Sequence, residues 1–365
     1  MKKKIIVFIP HIRGGGVEKN FFLLTNFLAK KTSSVSVITV NKEYKSNLSK
    51  KIRIIAPKSN KWKNSPIYLK YFISIFFLIL TLLKNNNYLI ISFQANWYSI
   101  LIAKLFNVKI ISRSNTAPDG WSKNIIKNYF YKLILNLADQ IIVNSIEFKK
   151  DLKNKFNVKS ICIYNPLNKS ELIKKSEERL NFKFFNNKKL KLINIGRCTN
   201  QKNQILILKS VNYLKNKIPL KLLIAGRGGE FAKLKSYINI NNLNKNVKLL
   251  NFLTNPYKYI KKADAFILSS NYEGLPNVLL EAQCLKKIIL STKCPTGPKE
   301  ILLNGKAGTF FKIDDYKDLA RKIEYIYYNK NLLNRKALIG YNNIKRFDEK
   351  INLNKYLFII KKYLI

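Results

Sequence analysis

Two glutamates, Glu273 and Glu281, are separated by seven residues and lie on either side of the turn Gly274-Leu275-Pro276, just after a hydrophobic run. Pro276 suits the first position of a helix, because its missing N–H would be unpaired there. We therefore expect Glu273 in the loop and Glu281 on the first turns of the helix. The N–H groups at such a helix start favour phosphate, whereas two carboxylates favour hydroxyl groups. The pattern predicts a site for a sugar linked to a diphosphate.

Two cations follow another hydrophobic run, residues 190–195. Arg197 comes directly after Gly196, and Lys202 follows five residues later. Arginine can hold phosphate oxygens bidentately, lysine adds a point charge, and ligands of open α/β folds bind at the carboxyl ends of strands. Exposed Arg and Lys in a basic chain are more often solvated surface, but the two nearby glutamates favour function. We interpret Arg197 and Lys202 as a diphosphate clamp.

A glycine-rich turn follows the first hydrophobic run, residues 5–9. Gly14, Gly15 and Gly16 lie between this predicted strand and a helix start, where backbone N–H groups can approach a phosphate or a sugar. The three glycines do not match GxGxxG, so a tight turn without a ligand is the alternative interpretation. His11, which precedes them, is expected to be a hydrogen-bonded structural residue.

The composition favours a two-domain enzyme. The chain has 365 residues, enough for two domains, and its 47% hydrophobic content excludes disorder. A net charge of +48 attracts polyanions, either nucleic acid or an anionic membrane. The charge is spread evenly over both halves of the chain, which argues against a localised nucleic-acid-binding surface.

The cysteines and the single histidine limit the chemistry further. Four widely spaced cysteines without CxxC spacing, and a first apolar run too short for a signal peptide, predict a reducing cytoplasm. One histidine excludes a multi-histidine metal site, so we expect no metal and no cofactor. Cys198 is expected to be a small buried residue.

Short apolar, β-branched runs alternate with helical segments, which predicts parallel sheets wrapped by helices. The runs lie at residues 5–9, 35–40, 52–56, 89–93, 108–112, 140–144 and 161–164, then at 190–195, 222–225, 247–250, 265–268, 287–290 and 309–313. A charged, strand-poor stretch at 166–189 separates the two groups. We predict two doubly wound α/β domains, 1–168 and 190–349, with a C-terminal helix, 350–365, that packs back on the first domain.

One segment is a candidate membrane element. Residues 71–83 form thirteen uncharged residues, too few to span a bilayer. Either a buried Rossmann-type helix, which we favour, or a helix lying in the membrane interface would fit. Basic and aromatic neighbours support the second alternative: Lys58, Lys61, Trp62, Lys63, Tyr68 and Lys70.

Taken together, the Gly-x-Arg-x4-Lys segment, the Glu-x7-Glu unit and the glycine loop resemble those of the family 4 glycosyltransferases. The resemblance covers nearly the whole chain and implies the GT-B fold, two Rossmann-like domains facing across a cleft. Residues 294–302 resemble the loop that approaches the donor phosphates. Many members carry a histidine at the end of a strand in the first domain, where this chain has residues 112–115. Arg113 and Asn115 are the candidates for acceptor-side hydrogen bonds there.

The resemblance also implies roles for individual residues. Arg197 and Lys202 would neutralise the departing diphosphate, Glu273 would contact hydroxyls of the transferred sugar, and Glu281 would bind both ribose hydroxyls. The remaining residues implied to bind the donor are Gly226 and Arg227 at the base, Thr296 and Gly297 at the phosphates, and Gly14, Gly15 and Gly16 in the first domain.

The reaction implied is metal-independent transfer, with retention, of a hexose or N-acetylhexosamine from a UDP-sugar. The expected acceptor is a saccharide linked to polyprenyl diphosphate, at an anionic membrane surface on the inner face of the plasma membrane, in polysaccharide biosynthesis. A sugar-nucleotide epimerase on the same fold is the alternative enzyme, although it needs positioned acid and base groups. A basic nucleic-acid-binding protein is the non-enzyme alternative, and we expect no nucleic-acid partner.

Overall fold

The computed structural model describes residues 3–12, 14–115, 125–186 and 188–364. It divides the chain into two compact units. The first contains Met1–Pro166 together with Glu349–Ile365, and the second contains Leu167–Asp348. The stretch 167–189, which the sequence places at the domain boundary, therefore belongs to the second unit.

The first unit is built on a seven-stranded parallel sheet with the order β3-β2-β1-β4-β5-β6-β7. Its strands are β1 (Lys4–Phe8), β2 (Val35–Ile38), β3 (Arg53–Ile55), β4 (Tyr88–Ser92), β5 (Lys109–Arg113), β6 (Gln140–Val143) and β7 (Ile161–Cys162). Its first helices are α1 (Gly16–Lys31), α2 (Ile67–Lys84), α3 (Asn96–Leu105), α4 (Ile125–Leu137) and α5 (Ile146–Phe156). The strand order reverses between β1 and β4, as in a doubly wound fold.

Successive residues of each strand point to opposite faces of the sheet, which sorts the helices into two layers. Ile6 and Phe8 of β1 pack in a cluster that also contains buried residues of α2, α3, α4 and α5. Ile5 and Val7 belong to a second cluster that contains Phe21 of α1. The helices α2 to α5 therefore cover one face of the sheet, and α1 lies on the other.

The second unit repeats the plan with a six-stranded parallel sheet of order β10-β9-β8-β11-β12-β13. Its strands are β8 (Leu190–Ile195), β9 (Leu220–Ala225), β10 (Val247–Leu250), β11 (Ala265–Leu268), β12 (Ile288–Thr292) and β13 (Thr309–Phe311). Its helices are α6 (Lys169–Ser176), α7 (Gln204–Leu214), α8 (Phe231–Ile240), α9 (Tyr257–Lys262), α10 (Asn277–Cys284), α11 (Pro298–Ile301), α12 (Tyr316–Tyr328) and α13 (Lys330–Asn343). Short 3-10 helices in the two units lie at Lys42–Asn47, Asn60–Asn64, Lys183–Phe185, Leu303–Gly305 and Ile344–Phe347.

The last helix, α14 (Glu349–Tyr363), returns to the first unit. Its residues Leu353, Tyr356 and Ile360 are buried in the cluster that contains α1. The prediction that the C-terminal helix packs on the first domain is confirmed. Each of the thirteen predicted strand segments overlaps a strand of the structure, because buried parallel strands have the continuous apolar signature that was used to find them.

Helix α2 contains residues 71–83, for which the sequence left a buried helix and an interfacial helix as alternatives. It has 18 residues and a mean hydropathy of 1.9, so by length and composition it is apolar enough to cross a bilayer, and 22% of it is buried within the protein. The buried positions Lys70, Ser74, Leu78 and Leu82 recur every four residues, so one face packs on the sheet. The opposite face is exposed, so α2 is buried along one face only and is not the buried helix that we favoured from the sequence.

Candidate active site

The predicted donor-site residues of the second unit follow four neighbouring strands, β9, β8, β11 and β12. Because the strands are parallel, their carboxyl ends meet at one edge of the sheet, where ligands of such folds bind. In this strand order, the residues are Gly226 and Arg227, then Arg197, then Glu273, then Thr296 and Gly297. The fold thus brings residues that are up to about a hundred positions apart in sequence to one edge.

Glu273 is only 6% exposed and is held by two side chains. Its Oε1 atom accepts a hydrogen bond from Ser270 Oγ at 2.6 Å and forms an ion pair with Lys202 Nζ. A buried carboxylate needs such partners, because desolvation without them is costly. Lys202 and Glu273, which the sequence assigns to different parts of the donor, are therefore in direct contact.

Arg197 has a different environment from Lys202. Its side chain is exposed, and none of the residues that the structure describes makes a hydrogen bond or ion pair with its guanidinium group. Its backbone is fixed, since the carbonyl accepts a hydrogen bond from Gln204 Nε2 at 3.0 Å. The predicted clamp thus consists of one lysine paired with a carboxylate and one arginine with an exposed side chain.

Loop-to-loop hydrogen bonds fix the backbone around Glu273. Its N–H donates to the carbonyl of Pro295 at 2.7 Å, and its carbonyl accepts from the N–H of Thr296 at 3.2 Å. Ser269 Oγ donates to the carbonyl of Lys202 at 2.7 Å. The loops after β8, β11 and β12 therefore hold one another, which positions the polar groups in advance of any ligand.

Glu281 lies on the second turn of α10 and is 6% exposed. Pro276 precedes the helix as its N-cap with φ −69°, one residue earlier than the sequence predicts. The hydroxyl of Tyr257 donates to Glu281 Oε1 at 3.5 Å, a long contact. Sequence reasoning missed Tyr257, and the only local signal was the helix start at Asn255-Pro256.

The turn after β9 requires glycine. A Cβ at Gly226 would overlap the carbonyl of Gly196, and one at Gly228, where φ is +153°, would overlap the carbonyl of Cys198. Arg227 between them extends outward, with its guanidinium 5.1 Å from the centre of the Phe252 ring. The backbones after β8 and β9 are thus in contact, which leaves Arg227 as the side chain presented at this turn.

The cysteines near the site are buried. Cys198 is fully buried, and burial raises the pKa of its thiol to about 11, so the prediction of a small buried residue is confirmed. Burial is the main cause that raises the pKa of the Cys294 thiol to about 12, and the negative charge of Glu273 adds to it. Both thiols stay protonated at neutral pH, so neither is a nucleophile.

The glycine loop of the first unit is held by side chains that the sequence did not single out. The N–H of Gly15 donates to Glu18 Oε2 at 3.0 Å, and the N–H of Ile12 donates to Asn41 Oδ1 at 3.0 Å. Gly14 has φ +78°, and Gly16 begins α1. Arg13, within this loop, lies outside the described residues. Glu18, three residues after Gly15, matches the acidic position of a capping box, which was the available signal.

Arg113 supports the fold of the first unit and is 1% exposed. Its partners are neutral oxygens: Nε donates to the Tyr356 hydroxyl at 2.7 Å, Nη2 donates to Asn165 Oδ1 at 2.6 Å, and Nη1 donates to Asn115 Oδ1. Because Tyr356 belongs to α14, this arginine ties the C-terminal helix to the end of β5. Its donors are thus directed at protein groups, and the half-buried Asn115 likewise donates from Nδ2 to the carbonyl of Phe93 at 2.9 Å.

His11 lies beside Tyr71 and Gln94 of its own unit. The ring of His11 lies 5.9 Å from that of Tyr71, and its backbone N–H donates to Gln94 Oε1 at 3.4 Å. Within the described ranges, no three His, Cys, Asp or Glu side chains are grouped as metal ligands would be.

Comparison with known protein families decides the family. The model described as Glycosyltransferase Family 4 matches residues 14–171, and the model described as Glycosyl transferases group 1 matches residues 175–346. The chain belongs to the family 4 glycosyltransferases. This membership favours the transferase over the epimerase and the nucleic-acid-binding alternatives, and the two Rossmann-like units are those of the GT-B fold.

Individual glycosyltransferases are also similar to this chain in sequence. The chain is 38% identical over 249 residues to an uncharacterized glycosyltransferase of Methanocaldococcus jannaschii, covering 63% of this chain and 58% of that protein. It is 29% identical over 230 residues, 60% of each protein, to the N-acetylgalactosamine-N,N'-diacetylbacillosaminyl-diphospho-undecaprenol 4-alpha-N-acetylgalactosaminyltransferase of Campylobacter jejuni. The match thus spans about three fifths of these two relatives.

The solved structure of Anabaena HepE in complex with UDP-glucose has a similar fold. Its TM-score is 0.79 at 15% identity, with 99% of this chain and 100% of that chain covered. At this identity, the similarity concerns the fold.

Proposed function

We propose that this family 4 glycosyltransferase transfers a hexose or N-acetylhexosamine from a UDP-sugar to a saccharide acceptor, with retention and without a metal. The observation that carries the proposal is the arrangement of two buried carboxylates, Glu273 and Glu281, at the edge of the second sheet where Arg197 is exposed. Carboxylates accept hydrogen bonds from sugar hydroxyls, and the guanidinium group complements a diphosphate. The solved similar structure contains UDP-glucose, which supports the choice of donor.

In this proposal, the two carboxylates bind different sugars of the donor. Glu281 accepts hydrogen bonds from the ribose hydroxyls, and Tyr257 orients it. Glu273 accepts from hydroxyls of the transferred sugar, and its contact with Lys202 places the ammonium group beside the diphosphate. Gly226 and Arg227 border the base, and the backbone of Thr296 and Gly297 lies near the phosphates.

The chemical step needs charge stabilisation more than a general base. The bond between the anomeric carbon and the UDP oxygen breaks while the acceptor oxygen bonds to the same carbon on the same face. The acceptor proton passes to the departing phosphate oxygen, so the products are a glycoside and UDP. Arg197 and Lys202 stabilise the negative charge that develops on the diphosphate, as preorganised donors do at other transition states.

We further propose that the acceptor is a saccharide linked to polyprenyl diphosphate, used at the inner face of the plasma membrane for polysaccharide biosynthesis. The name of the Campylobacter jejuni relative specifies a diphospho-undecaprenol acceptor. The net charge of +48 attracts both an anionic membrane and an anionic lipid carrier. Gly14, Gly15 and Gly16 are proposed to contact the donor or the acceptor from the first unit.

A transfer assay with product analysis tests these assignments. The purified chain would be incubated with UDP-glucose, UDP-galactose and their N-acetylated forms, with and without a chelator, using polyprenyl-diphosphate-linked and soluble saccharides. We expect one donor to react with the lipid-linked acceptor, an α-linkage by proton NMR, and an unchanged rate in chelator. A β-linkage or chelator-sensitive transfer would contradict the mechanism, and transfer to soluble saccharides alone would contradict the acceptor.

A further inference from the structure

Three neighbouring helices of the first unit expose large apolar side chains to solvent. On α2 these include Phe72, and on α3 Leu105, exposed by 69% and 77% respectively. On α4, Ile126 and Tyr129 are exposed by 68% and 59%. We call the solvent-facing side of α2, α3 and α4 the apolar face. These are the side chains that folding normally buries, so their exposure needs an explanation.

The apolar face is continuous across the three helices. All three cover the same face of the first sheet, because their buried residues share one core cluster. The Tyr71 ring of α2 contacts the Tyr98 ring of α3 at 6.5 Å between centroids, and Trp97 of α3 contacts Tyr131 of α4. The exposed residues of one helix therefore border those of the next.

Helix α5 is an internal control, since it packs on the same face of the sheet. It buries Phe148, Leu152 and Phe156, as an ordinary amphipathic helix does. Its outward side carries Lys149, Lys150, Lys153 and Lys155, all exposed, and its exposed apolar residue is Ile146 at the first position of the helix. A helix in this layer thus faces water with charged side chains, so the apolar outer sides of α2, α3 and α4 are specific to those helices.

Charge identifies the partner that fits this face. From residue 44 to residue 118, and again from 120 to 138, the sequence has no Asp or Glu. Exposed lysines border the face, among them Lys61, Lys84 and Lys132, and Trp62 and Tyr68 are exposed beside them. Apolar, aromatic and cationic groups together are the composition of helices that lie in an anionic membrane interface. A second copy of the same face would place positive charge against positive charge.

The packing of α2 decides how this contact is made. Its face at Lys70, Ser74, Leu78 and Leu82 is buried, with Leu78 and Leu82 in the core cluster of the sheet. A helix held along one side by its own domain can immerse its other side in a membrane surface without crossing it. The structure predicts contact in the plane of the bilayer, not a transmembrane span.

We infer that the apolar face of α2, α3 and α4 docks the first unit onto the surface of an anionic lipid bilayer. The docking rests on the proposed function only for the identity of the membrane, the one that holds the lipid-linked acceptor. The surface that meets the lipid belongs to the first unit, and the donor residues belong to the second. UDP binding in the second unit is thus a separate property.

Vesicle flotation tests the inference. The full chain and a triple variant with one change in each helix, Phe72→Ser, Leu105→Ser and Tyr129→Ser, would be mixed with phosphatidylcholine vesicles that contain or lack phosphatidylglycerol. The control triple, Ile240→Ser, Ile351→Ser and Phe358→Ser, changes three other exposed apolar residues, which lie outside the face. All three proteins would be checked for unchanged thermal unfolding and UDP affinity.

We expect the unsubstituted chain and the control to bind anionic vesicles, less strongly at high salt, and the face variant to lose about ten-fold or more in partition. Equal binding by the face variant and the control, or no binding to anionic vesicles by the unsubstituted chain, would overturn the inference. The inference would also be overturned if the unsubstituted chain were a dimer in solution and the face variant a monomer, because the face would then be a contact between two copies. If the unsubstituted chain bound anionic vesicles but did not bind UDP, the proposed function alone would be rejected.

Discussion

The two units share a parallel sheet and a strand-helix alternation but expose different chemistry. In the second unit, polar groups at the strand ends are buried and held, with Glu273 and Glu281 each 6% exposed. In the first unit, Arg113 at a strand end is directed at protein groups, and the unusual feature is the apolar outer side of three helices. One Rossmann-like unit is thus specialised at the edge of its sheet and the other at the surface of its helices.

The difference shows what each specialisation requires. A site for a small polar ligand needs fixed donors and acceptors, which the hydrogen bonds among the loops after β8, β11 and β12 provide. A surface for a bilayer needs area and charge but no exact geometry, which exposed Phe, Tyr and Leu beside lysines provide. Changes in the second unit should therefore affect catalysis and nucleotide binding, and changes on the apolar face should affect membrane binding.

The largest effect is expected for Lys202→Ala. The change removes a charge beside the diphosphate and leaves the buried carboxylate of Glu273 without its cation. The rate of sugar transfer should fall roughly 10²–10³-fold, or about 2.7–4 kcal/mol, by analogy with other preorganised electrostatic groups. Steady-state kinetics with saturating donor would measure this loss in kcat.

Lys209→Ala is the matched control for Lys202→Ala. Lys209 is exposed on α7, in the same unit, and should be replaceable without loss of rate. Vesicle binding should be unchanged in both variants. A Lys202→Ala enzyme with the kcat of the control would reject the role of this lysine.

Gly297→Ala should destabilise the second unit. Gly297 has φ +83°, and an added Cβ would overlap the carbonyl of Gly274. The expected loss of unfolding free energy is about 1–3 kcal/mol. Gly229→Ala is the control, because its added Cβ has no neighbour within 4 Å. Thermal melts of both variants would show the difference, and equal midpoints would mean that the turn after β12 adapts.

Asp139 in the first unit makes stability depend on pH. Burial alone would raise its pKa, but hydrogen bonds from Lys104, from the Ile110 N–H and from Lys109 together hold the pKa below its ordinary value. Because the folded pKa is the lower one, this stabilisation is present above about pH 4 and is lost as the pH falls through the folded pKa. Asp139→Asn should lower the free energy of unfolding by about 1–2 kcal/mol at neutral pH.

Urea unfolding of Asp139→Asn and the unsubstituted chain at neutral and acidic pH would check this dependence. The difference in unfolding free energy between the two proteins should become smaller as the pH falls. Asp318 of the second unit is a parallel case. Burial alone would raise the pKa of its carboxyl group, but hydrogen bonds from the Lys312 N–H and from Arg321 hold the pKa below its ordinary value. A difference in unfolding free energy that becomes larger in acid would show that the fold does not stabilise the ionised carboxylate of Asp139.

The smallest effect is expected for Tyr257→Phe. The change removes the hydroxyl that lies 3.5 Å from Glu281 Oε1 but keeps the ring. UDP affinity should fall several-fold, or about 0.5–1 kcal/mol, since the hydrogen bond is long. Tyr213→Phe, at an exposed position on α7 in the same unit, is the control. Equal affinities would mean that Tyr257 does not orient the carboxylate.

The elements of this fold were predictable, and so was the clustering of the donor residues. Most residues of the strands are apolar, and parallel strands place their carboxyl ends together, so Arg197, Glu273 and Gly297 had to approach one edge. The contact of Lys202 with Glu273 was not predictable, because it depends on how two loops 71 residues apart pack. The order of strands and loops in the sequence predicts which loops lie at the same edge of the sheet, but it does not predict which side chains of those loops are in contact.

The apolar face was visible only in part. Residues 71–83 signalled an unusual helix, but the choice between a buried and an interfacial helix depends on which side the sheet covers. Residues 126–137 were not singled out from the sequence, and the exposure of Ile126, Tyr129 and Leu137 follows from tertiary packing alone. The support that Arg113 gives to α14 is likewise a contact between distant parts of the chain.

Calorimetric titration with UDP, GDP and ADP tests the central claim most directly, that the second unit binds a UDP-sugar through Glu281. The unsubstituted chain should bind UDP in preference to the other nucleotides, and Glu281→Ala should lose this binding while Glu324→Ala, at a half-buried position on α12, retains it. No nucleotide binding by the unsubstituted chain, or undiminished UDP affinity in Glu281→Ala, would contradict the account.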